Sequence, residues 1–386
     1  MQVSEKCATV LQGMQQVESG RATQTCPGGR DMKRVVAMAD HSAVLWLKLL
    51  AAINVLFLLS FMAVATLASG QARAEMPECT GKDLMASIRT DDPDTFRRIE
   101  QEAAATVNGK GLLWKLEKEG RAPSFLFGTM HMTDPRVTSL PPAAQRAFDA
   151  SQTVVIETTD VVDPARMMAA VMKKPELTMF TDDTTLPSLL SPEDAAVVDA
   201  ALAKRGIPLA SVIKMKPWIL ATMAVLPACE TARKAAGAPV LDVKLAKDAE
   251  ASGKKLEGLE TATEQLEAMA SLPMDFHLEG LVETLKLGDR MDDIVETMIT
   301  LYLRGDMGMY WPLFRAALPD AAGDEAGYAA FEEAMITERN KTMAGKAEPL
   351  LAAGNAFIAV GALHLPGPDG LVELFRKAGY TVSPAG

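Results

Sequence analysis

The sequence predicts an α/β protein: a pseudo-symmetric core of duplicated strand–Gly-X-X-His–helix–strand units, interrupted by a large helical insertion. Three observations carry that reading. Phe125-Leu126-Phe127-Gly128-Thr129-Met130-His131 and Ile358-Ala359-Val360-Gly361-Ala362-Leu363-His364 both read as apolar strand, Gly, two residues, His. A helical stretch and a further strand follow each: residues 141–150 then Val154-Val155-Ile156, and residues 370–378 then Tyr380-Thr381-Val382. From about residue 163 to 338 the apolar period becomes helical, broken by caps and prolines. Such units bring two imidazoles to equivalent strand ends, where open α/β sheets place their chemistry.

Leu49 to Ala68 is an apolar run of about twenty residues, long enough to span a bilayer. Lys33, Arg34 and Lys48 precede it, and Ala72-Arg73-Ala74 follows as a small-X-small cleavage site. Residues 1–74 read as a leader with a secretory signal cut after Ala74, with an uncleaved anchor as the alternative. Met32-Lys33-Arg34 would be a more ordinary start for such a signal. Residues 75–386 then form a single domain in the periplasm or outside the cell, meeting a membrane only through an uncleaved leader. That domain opens with helices over 82–89 and 94–105, with Asp94 as N-cap. Asn108-Gly109 is a turn, and strands over 111–117 and 124–128 form a hairpin feeding His131. Within the insertion, Ser191-Pro192 opens one helix and Lys216-Pro217-Trp218 another that runs through Ala228. Amphipathic helices cover 291–303 and 324–337, and Lys254 to Leu259 is an extra strand. A helix over 338–351 and a turn at Ala353-Gly354-Asn355 lead into the final Gly-X-X-His unit.

Charge and cysteines narrow the function. Residues 1–74 hold 7 of the 39 Lys and Arg and 4 of the 50 Asp and Glu, leaving 32 basic against 46 acidic residues. A net charge near −14 argues against nucleic acid or an anionic membrane as the main partner. Cys79 and Cys229 are the two cysteines beyond the leader, and an even pair in an oxidising compartment usually bonds. Two separate buried thiols are the alternative.

Of the four histidines, His41 lies in the leader and His277 has no Gly-X-X-His frame, so His277 reads as structural. His131 and His364 stand out because the pattern occurs twice. Glycine in each turn permits positive φ and close backbone approach. Glu157 ends the strand after the first unit, and Glu260 repeats that placement after Leu259. Asp242 reads equally well as a helix N-cap. Two imidazoles with one or two carboxylates suit Zn²⁺, Mn²⁺ or Co²⁺, and an ion so held can acidify water. The second carboxylate is then the general base, and Arg339 a stabiliser of developing negative charge. Gly-X-Ser-X-Gly, His-Glu-X-X-His and phosphate-loop motifs are absent, and neither Cys79 nor Cys229 has a neighbouring His. Met167, Met168 and Met172 fit ordinary helical core better than a peptide groove.

Phe125 to His131, Glu157, Lys216-Pro217-Trp218, Gly258-Leu259-Glu260-Thr261 with Glu264-Gln265, Glu338-Arg339-Asn340, and Val360 to Leu365 together resemble the TraB/GumN family. That family includes the animal TIKI proteins and is distantly related to the erythromycin-esterase and ChaN-like group. The resemblance runs from about Cys79 to the C-terminus. It implies a metal-dependent, protease-like hydrolase acting on a peptide or on a secreted or envelope protein, as TIKI relatives clip secreted Wnt proteins. It also implies metal or catalytic roles for His131, Glu157, Arg339, Asn340 and His364, and more loosely for Glu260. The competing expectation is a binding protein that uses the same cleft for haem, a metal or a cell-envelope polymer without turnover. Neither the metal nor the oligomeric state is legible in the sequence.

Overall fold

Six short strands form one sheet: β1 (Leu113–Glu117), β2 (Ser124–Thr129), β3 (Thr153–Ile156), β4 (Lys255–Gly258), β5 (Ala356–Gly361) and β6 (Thr381–Pro384). The structure is a computed structural model, described over residues 77–317 and 325–386. The apolar run, the cleavage site and the Met32 start lie outside the described residues. Among the described residues, no helix is long and apolar enough to cross a membrane.

Strand order is β4-β3-β5-β2-β1-β6. β4, β3, β5 and β2 pair in parallel, and β1 runs antiparallel to both β2 and β6. The carboxyl ends of the four parallel strands therefore share one edge of the sheet. Successive side chains alternate faces, and both faces are apolar. Phe127, Val154, Ile156 and Phe357 pack with Phe148, Leu241, Leu245 and Tyr302 on one side. Leu126, Val155, Ile358 and Val360 pack with Met343, Leu351, Leu371 and Phe375 on the other. Burial on both faces is why these strands read as continuous apolar runs. A third cluster, including Leu186, Leu202, Leu220 and Leu281, lies within the helical insertion.

The hairpin, the extra strand β4 and most helices fall where the pattern predicts, with informative exceptions. Asp92, not Asp94, caps the helix Pro93–Ala105, because Pro93 takes the first helical position and the Asp92 side chain accepts from Thr95 N. The helix begun at Pro217 stops at Ala224, and Pro227 opens a new one, Ala228–Ala235. The methionine helix Pro164–Lys173 buries no side chain, and Met168 and Met172 are 59% and 72% exposed. Those methionines are therefore surface rather than core. His277 is buried, as a structural residue would be, although among the described residues its Nε2 and the Trp218 Nε1 have no hydrogen-bond partner.

The two Gly-X-X-His units share an order of elements but not sheet positions. β2 leads to β3 across β5, whereas β5 leads to β6 across both β2 and β1. The sheet order thus gives no pseudo-symmetry to the two halves.

Neither turn glycine adopts positive φ. What each provides is close approach. A Cβ on Gly128 would lie 2.9 Å from the Ala362 Cβ and 3.0 Å from its Cα. On Gly361 it would lie 3.1 Å from Glu157 Oε1. Gly128→Ala should therefore push β2 and the Ala362 turn apart and destabilise by about 1–3 kcal/mol, as overpacking does. Gly345→Ala is the control: it sits on the exposed side of the helix Glu338–Ala353 with open space around a new Cβ, and should be neutral or stabilising. Urea midpoints of the two variants give the comparison.

Candidate active site at the carboxyl ends of the parallel strands

Each strand end contributes one side chain. His131 follows β2, Glu157 follows β3, Glu260 follows β4 and His364 follows β5 in a single 3-10 turn, Ala362–His364. Arg339 and Asn340 come from the helix Glu338–Ala353, directly after a π-helical turn, Glu333–Thr337. Wide turns of this kind recur at functional sites because they re-aim the side chains that follow.

Arg339 joins the two glutamates. Its Nη2 donates to Glu157 Oε2 at 2.7 Å and to Glu260 Oε2 at 2.6 Å, and its Nε donates to Glu260 Oε1 at 3.0 Å. Gln265 Nε2 donates to the same two Oε2 atoms at 3.0 and 3.3 Å. The other Glu157 oxygen, Oε1, accepts from Gly361 N at 2.6 Å and lies 3.8 Å from His364 Nε2. Glu157, Glu260 and His364 are all buried. Without its two anions the guanidinium would be costly to bury, and without it two carboxylates would face each other in an apolar setting.

Both imidazoles are held by Nδ1. Asn340 Nδ2 donates to the backbone oxygen of Asp369 at 2.9 Å, so its Oδ1, 2.7 Å from His364 Nδ1, accepts from that ring. His131 Nδ1 lies 2.7 Å from Asp242 Oδ2, while Thr129 Oγ1 donates to Asp242 Oδ1 at 2.6 Å. Each pairing makes Nδ1 the donor and leaves Nε2 free. Among the described residues no three His, Cys, Asp or Glu side chains form a ready-made metal cluster. The side chains of a type that Zn²⁺, Mn²⁺ or Co²⁺ would take are His131, His364 and Glu157, of which His364 Nε2 and Glu157 Oε1 lie 3.8 Å apart. Asp242 lies inside the helix Leu241–Ala251 and makes no cap hydrogen bond, so the N-cap alternative is set aside. Below the site, buried Glu230 accepts from Thr133 N and Thr133 Oγ1, both at 2.8 Å. Neighbouring Cys229 is disulfide-bonded to Cys79, with a Cα–Cα distance of 5.3 Å. The segment just past His131 is thereby tied to the helix Ala228–Ala235.

Six residues singled out in the sequence thus lie along one edge. Direct contacts unite Glu157, Glu260, Arg339, Asn340 and His364. Asp242 and Thr129 hold His131 beside them, and among the described residues no hydrogen bond joins it to the other five. Sequence reasoning assigned no role to Gln265 or Thr129.

Charges and burial set the proton affinities. Asp242 raises the His131 imidazole from 6.5 to about 9. Burial lowers His364 to about 4. Burial also opposes ionisation of Glu157, but the imidazoles, Arg339 and the Gly361 N–H outweigh it and hold the carboxyl at about 2. In metal-free protein, the stability from raised His131 is fully present below pH 6.5 and is lost as pH climbs through about 9. That from depressed His364 is present above pH 6.5 and lost as pH falls through about 4. Glu157 adds stability above pH 4.5 that is lost as pH falls through about 2. Thermal midpoints of metal-free protein should peak near pH 6.5 and decline on both sides. His131→Gln should flatten the alkaline limb and also shift the acid limb, because the His131 charge helps to lower both Glu157 and His364.

A sequence profile of the TraB/PrgY/gumN family matches residues 112–384. Metalloprotease TIKI1 of Danio rerio is 25% identical over 317 residues, covering 71% of this chain and 63% of that protein. Metalloprotease TIKI2 of the same fish is 26% identical over 307 residues, covering 67% and 58%. For Metalloprotease TIKI1 of Xenopus tropicalis the figures are 22% over 343 residues, 76% and 66%. The chain spans less than two thirds of the length of each of these relatives. On the profile match, which covers well over half of its residues, the chain belongs to the TraB/PrgY/gumN family.

Proposed function

We propose that this protein is a metal-dependent hydrolase of peptide bonds, acting in the periplasm or outside the cell. The observation that carries the reading is the fixing of both imidazoles through Nδ1, which leaves Nε2 of each ring to meet an ion at one edge of the sheet, that of His131 once its second proton is displaced. Metal-binding histidines are held in this way by partners on the far ring nitrogen. The relatives named metalloproteases support the reaction class, and the disulfide fits an oxidising compartment.

In this proposal His131, His364 and Glu157 Oε1 hold a divalent ion, which when bound supplies Lewis acidity toward a carbonyl and acidifies water. The protein does the rest. Glu157, kept ionised to about pH 2, suits ion binding better than proton uptake near neutrality. Among the described residues Glu260 Oε1 accepts only the 3.0 Å bond from Arg339 Nε and keeps lone-pair capacity, so it takes the proton from the attacking water. Arg339 fixes both carboxylates and offers positive charge to a developing oxyanion. Asn340 keeps the His364 ring aligned.

A peptide-library digest with the protein stripped of metal, then supplemented with Zn²⁺, Mn²⁺ or Co²⁺, tests this. Cleavage that returns with one of these ions and disappears with chelator is the expected result. No cleavage with any ion, together with a Soret band on haem titration, would favour the binding-protein reading.

A further inference from the structure

We infer that Asp242 is a positioning residue for His131: its carboxylate determines which ring nitrogen carries the proton and leaves Nε2, on the far side of the ring, as the atom that can take a ligand. The inference deepens the reading of this site as a metal centre and rests on it for its purpose, though not for its geometry.

An aspartate at the second position of a helix has an ordinary explanation, since carboxylates favour the positive end of the helix dipole. Here neither oxygen is spent on the helix. Asp242 makes no cap hydrogen bond within Leu241–Ala251, and both of its oxygens reach across to the end of β2. Oδ1 takes the Thr129 hydroxyl at 2.6 Å and Oδ2 faces His131 Nδ1 at 2.7 Å, with Asp242 itself buried. An ionised carboxylate can only accept, so the ring must donate from Nδ1. Thr129 and His131 are two residues apart on the same strand end, so the carboxylate is fixed at two points and cannot pivot without breaking one bond. That two-point attachment matters because the His131 side chain is 59% exposed and little packing restrains its ring.

The two histidines are consequently unequal. His364 is buried and backed by the neutral amide of Asn340, whereas His131 is open to solvent and backed by a full negative charge. A carboxylate partner increases the electron density at the opposite nitrogen more than an amide does. Asp242 thus compensates for the looser packing of His131 by making Nε2 the stronger donor.

The test uses the whole chain with ¹⁵N-labelled histidine. In metal-free protein at about pH 10, above the ordinary range of histidine titration, the ring signals of His131 should show the proton on Nδ1. Asp242→Leu should redistribute it toward Nε2 and weaken Zn²⁺ binding, measured by calorimetry, by about 10–100-fold. Asp242→Asn preserves shape but keeps only one accepting oxygen, so either Thr129 or His131 then faces an amide N–H, and Zn²⁺ should bind about tenfold less tightly. An unchanged His131 pattern in Asp242→Leu, or wild-type Zn²⁺ affinity in Asp242→Asn, overturns the inference. If wild-type protein binds no Zn²⁺ yet Asp242→Leu shifts the ring proton, the positioning role stands and the metal reading alone falls.

Discussion

Arg339→Met should be the most destabilising single change in the site, costing on the order of 3–5 kcal/mol of folding free energy. Arg339 is the shared partner of Glu157 and Glu260, and its side chain is only 11% exposed. Methionine fills a similar volume but leaves two buried carboxylates within reach of one another with only Gln265 between them. At least one must then take up a proton or water must enter, and both outcomes are costly. Arg339→Lys should fall between, because one ammonium cannot reproduce the fork that spans both oxygens of Glu260 while reaching Glu157. Urea denaturation at pH 7 gives the ranking. The Met variant should recover part of its loss at low pH, where the carboxylates protonate. Loss of less than about 1 kcal/mol would show that the ion cluster is held together by its surroundings rather than by Arg339.

His364→Ala should abolish peptide cleavage, by at least about a thousandfold, while folding stability changes modestly. His364 is buried, but among the described residues its one direct side-chain hydrogen bond is to Asn340, itself anchored to the Asp369 backbone. Its removal takes away a ring and one hydrogen bond, worth about 1 kcal/mol plus packing. On the proposed function, however, half of the nitrogen donor set goes with it. His131→Ala should abolish cleavage equally, with still less effect on stability because that ring is exposed. Metal content by mass spectrometry should fall with activity in both variants. Full activity in either would remove that histidine from the reaction.

The parts of this site that were legible in the sequence are those carried by a local pattern. A strand followed by Gly-X-X-His is contiguous, and it located His131 and His364; Glu157 and Glu260 followed as strand-terminal acids. Other features depended on partners far along the chain. Asp242 lies 111 residues from His131 and 113 from Thr129, so nothing beside it distinguished a ring partner from a helix cap. Gln265 similarly reaches Glu157 from 108 residues away. Gly128 and Gly361 were recognisable as special, but close approach is a property of the neighbouring strand and turn and has no signature in the residue itself. Sheet order was hidden for the same reason: insertion of β5 between β3 and β2 is a pairing of segments about 200 or more residues apart, of the kind periodicity does not encode. The methionine helix shows the opposite failure, where an apolar period was present but Met168 and Met172 stay exposed.

The central claim is that His131 and His364 face a common metal ion. Anomalous diffraction from crystals grown with Zn²⁺ or Co²⁺, recorded on either side of the metal edge, tests it most directly. A single strong peak about 2.0–2.2 Å from both Nε2 atoms, with Glu157 as a further neighbour, is the predicted result. A peak on one ring only, or two imidazoles too far apart to share an ion, would contradict it.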